Sequence, residues 1–174
     1  ADGLFDEGFA YRGYADWLEQ IPVILMVDGE TYVPEPDLTV GQTGEKYGWN
    51  KAHIQHLLSM AFPDVRVKNF IEIRSADSVN PPYITAYAAL IRALFYSRET
   101  VDWVLSLAQS ADEIQAAKAA LRKDDWNAGI YGQPVTAVLD ELDSRARQAM
   151  TSADARHYAP LHEKIMARKH MFEG

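Results

Sequence analysis

Over residues 65–74 the chain alternates apolar and polar side chains with a period of two. As one pleated strand, Val65, Val67, Ile71 and Ile73 share a face, and Arg66, Lys68, Phe70, Glu72 and Arg74 share the other. Same-face neighbours on a strand lie about 6.5–7 Å apart, so three cations and one carboxylate form a single row. Such a row suits an anion such as phosphate or carboxylate, and Glu72 adds a metal-ligating group. The solvated outer face of an antiparallel sheet carries the same pattern. Asp77, Asn80 and the pair Pro81 and Pro82 break the strand, and an apolar, alanine-rich helix follows over 86–95. The small residues of that helix allow close packing against a sheet, with its first turn at the end of the charged row.

Upstream, residues 14–18 read as a short helix stopped before Pro22. The apolar run 22–27, then Asp28-Gly29-Glu30, then Thr31-Tyr32-Val33 predict a β-hairpin turning at the Asp-Gly pair. Residues 34–49, rich in Gly, Pro and polar side chains, read as a long surface loop. Asn50 caps a predicted helix through Ala61, with Ile54, Leu57, Leu58 and Ala61 on its apolar side. Beyond Tyr96 the pattern is helical. Residues 98–109 put Val101, Val104, Leu105 and Ala108 on one side. Ser110 and Glu113 form a capping-box pattern for a helix through Leu121. A break over 124–132 precedes an amphipathic helix over 134–150, and Ser152 opens a more polar one. Strands first and helices after predict an α+β fold, a small antiparallel sheet packed by helices with a helical carboxy-terminal half. Residues 1–97 would form a sheet-plus-helix wall and 98–174 a helical part of one domain.

The length of 174 residues suffices for one domain with a real core. An apolar fraction of 48% and a charged fraction of 24% are those of a soluble globule. A net charge of −8 argues against nucleic acid or an anionic membrane as the main partner. No cysteine is present, which removes disulfides, thiolate metal sites and cysteine nucleophiles, and is compatible with a cytoplasmic location. His53 and His56 have the i, i+3 spacing that brings two imidazoles to one metal, but no third zinc-type ligand stands at a recognisable spacing, and His56 reads as a packing or hydrogen-bonding residue. His157, His162 and His170 read as solvated. Tyr11, Tyr14 and Trp17 read as a core-facing stripe. No phosphate loop, dinucleotide glycine pattern or nucleophile elbow occurs.

The stretch from Ala61-Phe62-Pro63-Asp64 through the charged strand to Ser75-Ala76-Asp77 resembles the signature segment of glutamate–cysteine ligases of the plant and proteobacterial type. His56-Leu57-Leu58-Ser59 fits the same pattern, as does the segment from Tyr14-Ala15-Asp16-Trp17 to Leu25. The correspondence covers roughly the first three-fifths of the chain. Ile71-Glu72-Ile73-Arg74, with Asp77, Asn80-Pro81 and Tyr83, also resembles the more distant carboxy-terminal motif of glutamine synthetases.

The resemblance implies an ATP- and Mg²⁺-dependent ligase that phosphorylates the γ-carboxylate of glutamate before the cysteine amine attacks. Such chemistry needs cations around the transferring phosphoryl group and carboxylates on the metals. By that analogy Glu72 is a metal ligand and Arg74 stabilises the transferred phosphoryl group. Arg66 and Lys68 contact ATP phosphates or the substrate carboxylate, Phe70 is a packing wall, and Asp77 and Asn80 fix the turn. Family members are longer, and their amino-terminal half supplies most metal-binding carboxylates. The chain is therefore expected to be a carboxy-terminal portion that needs the missing amino-terminal half and has little activity alone. Two other readings stand beside it: another ligase of the glutamine synthetase superfamily with a different amine acceptor, and a non-catalytic interaction domain that retains the fold.

Overall fold

The computed structural model describes residues 3–76, 78–108 and 110–172. They form an α+β protein divided into two units, Ala1–Asp77 and Ser78–Gly174.

In the first unit, α1 (Tyr11–Glu19) is followed by strands β1 (Leu25–Asp28) and β2 (Thr31–Pro34). These pair antiparallel with Asp28 opposite Thr31, and Gly29 takes the turn at φ +62°, a conformation that favours glycine. The expected loop over 34–49 instead contains a helix, α2 (Val40–Tyr47). Thr39 and Gln42 form a capping box in which each side chain accepts from the other's backbone N–H, at 3.4 and 2.9 Å. Gly44 sits on α2 where the Trp49 indole crosses the helix, and a β-carbon there would clash with the ring. Asn50 caps α3 (Lys51–Ser59) as its side chain predicts, accepting from the His53 amide at 2.9 Å. Val23, Met26, Val40 and Leu57 make the core of this unit.

The alternating segment does not run as one strand. It folds back on itself as β3 (Val65–Val67) and β4 (Ile71–Ile73), joined by a tight turn in which the Lys68 amide donates to the Phe70 carbonyl at 2.8 Å. Period-two alternation survives a hairpin, so the pattern does not distinguish a ten-residue strand from two short ones. Burial does not follow the alternation: Arg66 is buried, while Val65 and Ile71 are exposed. The aromatic stripe on α1 also differs, because Tyr11 is 85% exposed and only Tyr14 and Trp17 meet, at 5.6 Å between ring centroids.

The second unit is helical apart from one short hairpin. It contains α4 (Tyr83–Phe95), α5 (Arg98–Leu107), α6 (Ala111–Asp124), β5 (Gly129–Ile130), β6 (Gln133–Pro134), α7 (Val135–Ala149) and α8 (Ser152–Ala167). Ala89, Leu90 and Ala93 of α4 share a core with Ala146, Tyr158 and Ile165 of α7 and α8. The small residues of α4 thus permit close helix–helix packing within this unit. A second cluster joins Ala117, Ala128, Ile130, Val135 and Val138. On α5 the packed side is Trp103 and Leu107 rather than the expected Val104 and Leu105, which are exposed. Ser110 caps α6, accepting from the Glu113 amide at 3.2 Å, and α8 opens at Ser152 as expected, capped by Thr151. Among the described residues no helix is long and apolar enough to cross a membrane.

Candidate functional site

The hairpin turn brings together the four charged residues singled out in the sequence. Arg66 stands directly opposite Glu72 in the β3–β4 register. Its Nε donates to Glu72 Oε2 at 2.9 Å, and Nη2 lies 2.8 Å from the same oxygen. Lys68 Nζ lies 3.5 Å from Glu72 Oε2, and Arg74 Nη1 donates to Oε1 at 3.2 Å. One carboxylate therefore holds three cations on one face of the hairpin, leaving a net charge of about +2 by residue type. The Arg66 hydrogen bond, followed by the charges of Arg66, Lys68 and Arg74, lowers the proton affinity of Glu72 below the usual carboxylate range.

The cations differ in what they have left to offer. The Arg66 side chain is only 7% exposed. Its Nη1 donates to the carbonyls of Ser59 and Ala61 at 2.9 and 3.0 Å, so it ties the end of α3 to the hairpin. Lys68 and Arg74 keep 27% and 30% of their side-chain surface open. Lys68 Nζ lies 5.8 Å from the Phe70 ring centroid, and the Arg74 guanidinium carbon lies 5.6 Å from that of Phe62. Phe70 itself is exposed at the turn. The α1 helix braces the hairpin, since the Tyr14 hydroxyl accepts from the Val67 amide at 3.1 Å. Asp77 lies outside the described residues, and the Asn80 carbonyl accepts from the Tyr83 amide at 2.9 Å, which fixes the first turn of α4.

These residues as arranged do not fit a magnesium site on their own. Both Glu72 oxygens are shared with cations, and among the described residues no group of three or more His, Asp or Glu converges. His53 and His56 each have a structural partner: His53 Nδ1 bonds the Gly48 carbonyl and His56 Nε2 the Leu25 carbonyl, both at 2.9 Å.

Two polar clusters escaped the sequence reading. Glu35 Oε1 accepts from Lys46 Nζ and the Tyr47 hydroxyl, both at 2.5 Å, within the segment read as a loop. In the second unit Asp143, 3% exposed, accepts from the Tyr158 hydroxyl at 2.9 Å and from His162 Nδ1 at 2.8 Å. His162 is thus a partner of a buried carboxylate rather than a solvated side chain. The available signal was a charged residue, Asp143, within the apolar stripe of α7, facing Tyr158 and His162 at i, i+4 on α8.

The family described as Glutamate-cysteine ligase family 2 (GCS2) matches residues 2–168. The chain is 27% identical over 128 residues to the chloroplastic glutamate–cysteine ligase of Brassica juncea, covering 68% of this chain and 24% of the relative. It is 26% identical over 128 residues to the chloroplastic enzyme of Arabidopsis thaliana, with the same coverage. The chain thus spans about a quarter of the length of the curated relatives it matches. With a match running almost from end to end, this chain belongs to glutamate–cysteine ligase family 2.

Proposed function

We propose that this chain supplies a cationic wall to an ATP-dependent glutamate–cysteine ligase, which makes γ-glutamylcysteine through a γ-glutamyl phosphate on the route to glutathione. The observation that carries the reading is the clustering of Arg66, Lys68 and Arg74 on the single carboxylate of Glu72. A transferring phosphoryl group spreads negative charge over its equatorial oxygens, and positioned cations stabilise it without reorganising. Arg74 is the group proposed to contact that phosphoryl. Lys68 would contact an ATP phosphate or the glutamate carboxylate. Arg66 has four of its five N–H donors committed, and its proposed contribution is to hold Glu72 and the hairpin in place. Glu72 would ligate Mg²⁺ only after releasing a cation contact, so no step is derived through the metal. Further carboxylates from the rest of a ligase would complete the site, and the reading places the chain in the cytoplasm.

The test is calorimetric titration of the chain with ATP and Mg²⁺ beside an assay of glutamate-dependent phosphate release. The expected result is nucleotide binding without turnover, weakened by Arg74→Gln and Lys68→Gln. Binding unaffected by either substitution would overturn the assignment of the hairpin. Turnover by the chain alone would overturn its dependence on further carboxylates. Loss of all nucleotide affinity would favour an interaction domain that keeps the family fold.

A further inference from the structure

A cleft of about 540 Å³ opens along α7 and α8 in the second unit. Its volume lies in the range of small-molecule pockets. Ser144, Arg147 and Gln148 line it from one face of α7 at i, i+3 and i+4 spacing, and His162 and Arg168 line it from the following segment.

The carboxylates of the cleft are already engaged. Asp140 Oδ2 accepts from Arg168 Nη2 at 2.6 Å, and Asp143 is held by Tyr158 and His162. An ionised carboxylate can only accept, so the His162 proton sits on Nδ1 and Nε2 is the nitrogen left over. The Arg147 guanidinium makes no hydrogen bond or ion pair among the described residues, and it lines the same cleft. Gln148 Nε2 donates to Ser144 Oγ at 3.2 Å, which leaves the serine O–H free to donate elsewhere. An unpaired guanidinium and a free hydroxyl donor suit the anionic oxygens of a phosphoryl group, and an oriented imidazole nitrogen accepts from a protonated one. A solvated surface arginine would account for Arg147 alone. It does not account for an imidazole oriented by a carboxylate only 3% exposed in the wall of the same cleft.

We propose that the α7–α8 cleft is a phosphate-binding site in which Arg147, Ser144 and His162 Nε2 hold a phosphoryl group. The group is free phosphate or the phosphate of a small organic ester, whose carrier would occupy the remaining volume. Arg147 pairs with two oxygens, Ser144 donates to one, and His162 Nε2 accepts from a protonated oxygen. The site does not rest on the ligase reading.

The test titrates inorganic phosphate into the full chain and follows the His162 imidazole by ¹H–¹⁵N NMR, with glycerol 2-phosphate as a second arm. A saturable shift of Nε2 is expected. Arg147→Gln, an exposed change that leaves the helix packing intact, should weaken it roughly tenfold, the value of one charge-assisted hydrogen bond. Lys68→Gln in the hairpin should leave it unchanged. Tighter binding of the ester identifies an organic carrier, and equal or weaker binding identifies free phosphate. The proposal falls if Nε2 shows no saturable shift with either probe. It also falls if the response persists undiminished in Arg147→Gln or is lost in Lys68→Gln.

Discussion

Arg66 and Glu72 face each other across the β3–β4 hairpin, with Arg66 Nη2 2.8 Å from Glu72 Oε2. The pair is asymmetric. Arg66 is buried and also serves two backbone carbonyls, whereas the Glu72 side chain remains 30% exposed and is shared with two further cations. Their contributions to stability therefore separate, and substitution of each has a distinct expected outcome.

Arg66→Met keeps the aliphatic stem but strips the donors from the carbonyls of Ser59 and Ala61. Buried acceptors left without partners cost about 1–3 kcal/mol each, partly relieved by water, so a loss of about 2–4 kcal/mol is expected. Lys68→Met, which removes a long, partly exposed contact to Glu72 and a distant one to the Phe70 ring, should cost under about 1 kcal/mol. Urea denaturation followed by hairpin amide signals distinguishes the two. Equal losses for both variants would refute the assignment of Arg66 as the structural cation.

Acid should unfold the protein through its paired carboxylates. Glu72, Glu35, Asp140 and Asp154 all have lowered proton affinity, owing first to hydrogen bonds from Arg66, Lys46, Arg168 and Thr151 respectively. A group of this kind contributes its full stabilisation above the unfolded-state value, and loses it as pH falls through the folded-state one. Stability is thus expected to hold from neutrality down to the usual carboxylate range, about pH 4, and to fall below it. Urea midpoints across that range measure the slope, and Glu72→Gln should flatten it. An unchanged slope would show that the hairpin cations do not act through Glu72.

The legible parts of the fold were those with a local chemical cause. Asp28-Gly29 marks the first hairpin, and Asn50 and Ser110 mark helix starts, because each side chain or turn acts on its own neighbours. The α2 helix was obscured because Gly41, Gly44 and Gly48 give its sequence the composition of a loop, although the Thr39–Gln42 capping box was present. For the site, the four charged residues and their shared face were legible. Their arrangement around Glu72 was not, because it depends on a turn at 68–70 that period-two alternation does not encode. The Asp143–Tyr158–His162 cluster depends on two helices meeting, which no local pattern records.

Gly44 is expected to be intolerant of even one methyl group. The Trp49 indole lies over the position a β-carbon would take, so Gly44→Ala must displace the ring. Trp49 also lines an apolar groove with Leu18, Val40 and Leu57, which would lose that cover. Alanine is the better helix former, by about 1 kcal/mol, so helix propensity alone predicts stabilisation. The expected result is a net loss of stability with altered tryptophan fluorescence. A stabilised variant with unchanged fluorescence would show that the ring does not press on α2.

The hydrogen bond to Glu35 raises the proton affinity of Tyr47 and burial raises that of Tyr158, and of the two Tyr158 should resist ionisation until the fold is lost. It is 1% exposed, and burial, then the hydrogen bond to Asp143, then the charge of Asp143, raise its proton affinity far above that of a free phenol. The unfolded chain releases that proton at the ordinary phenol value, so stability is complete below it and declines as pH rises beyond. Tyr158→Phe removes this alkaline dependence. It also takes a donor from Asp143, which keeps only His162, at an expected cost of about 1.5–3 kcal/mol for a hydrogen bond to a charged group. Phenolate absorbance during alkaline titration, read beside circular dichroism, tests both points. One phenol should titrate only with the loss of helix, and that step should vanish in Tyr158→Phe. If every tyrosine ionised before the helices melted, the buried hydrogen bond between Tyr158 and Asp143 would not survive in solution.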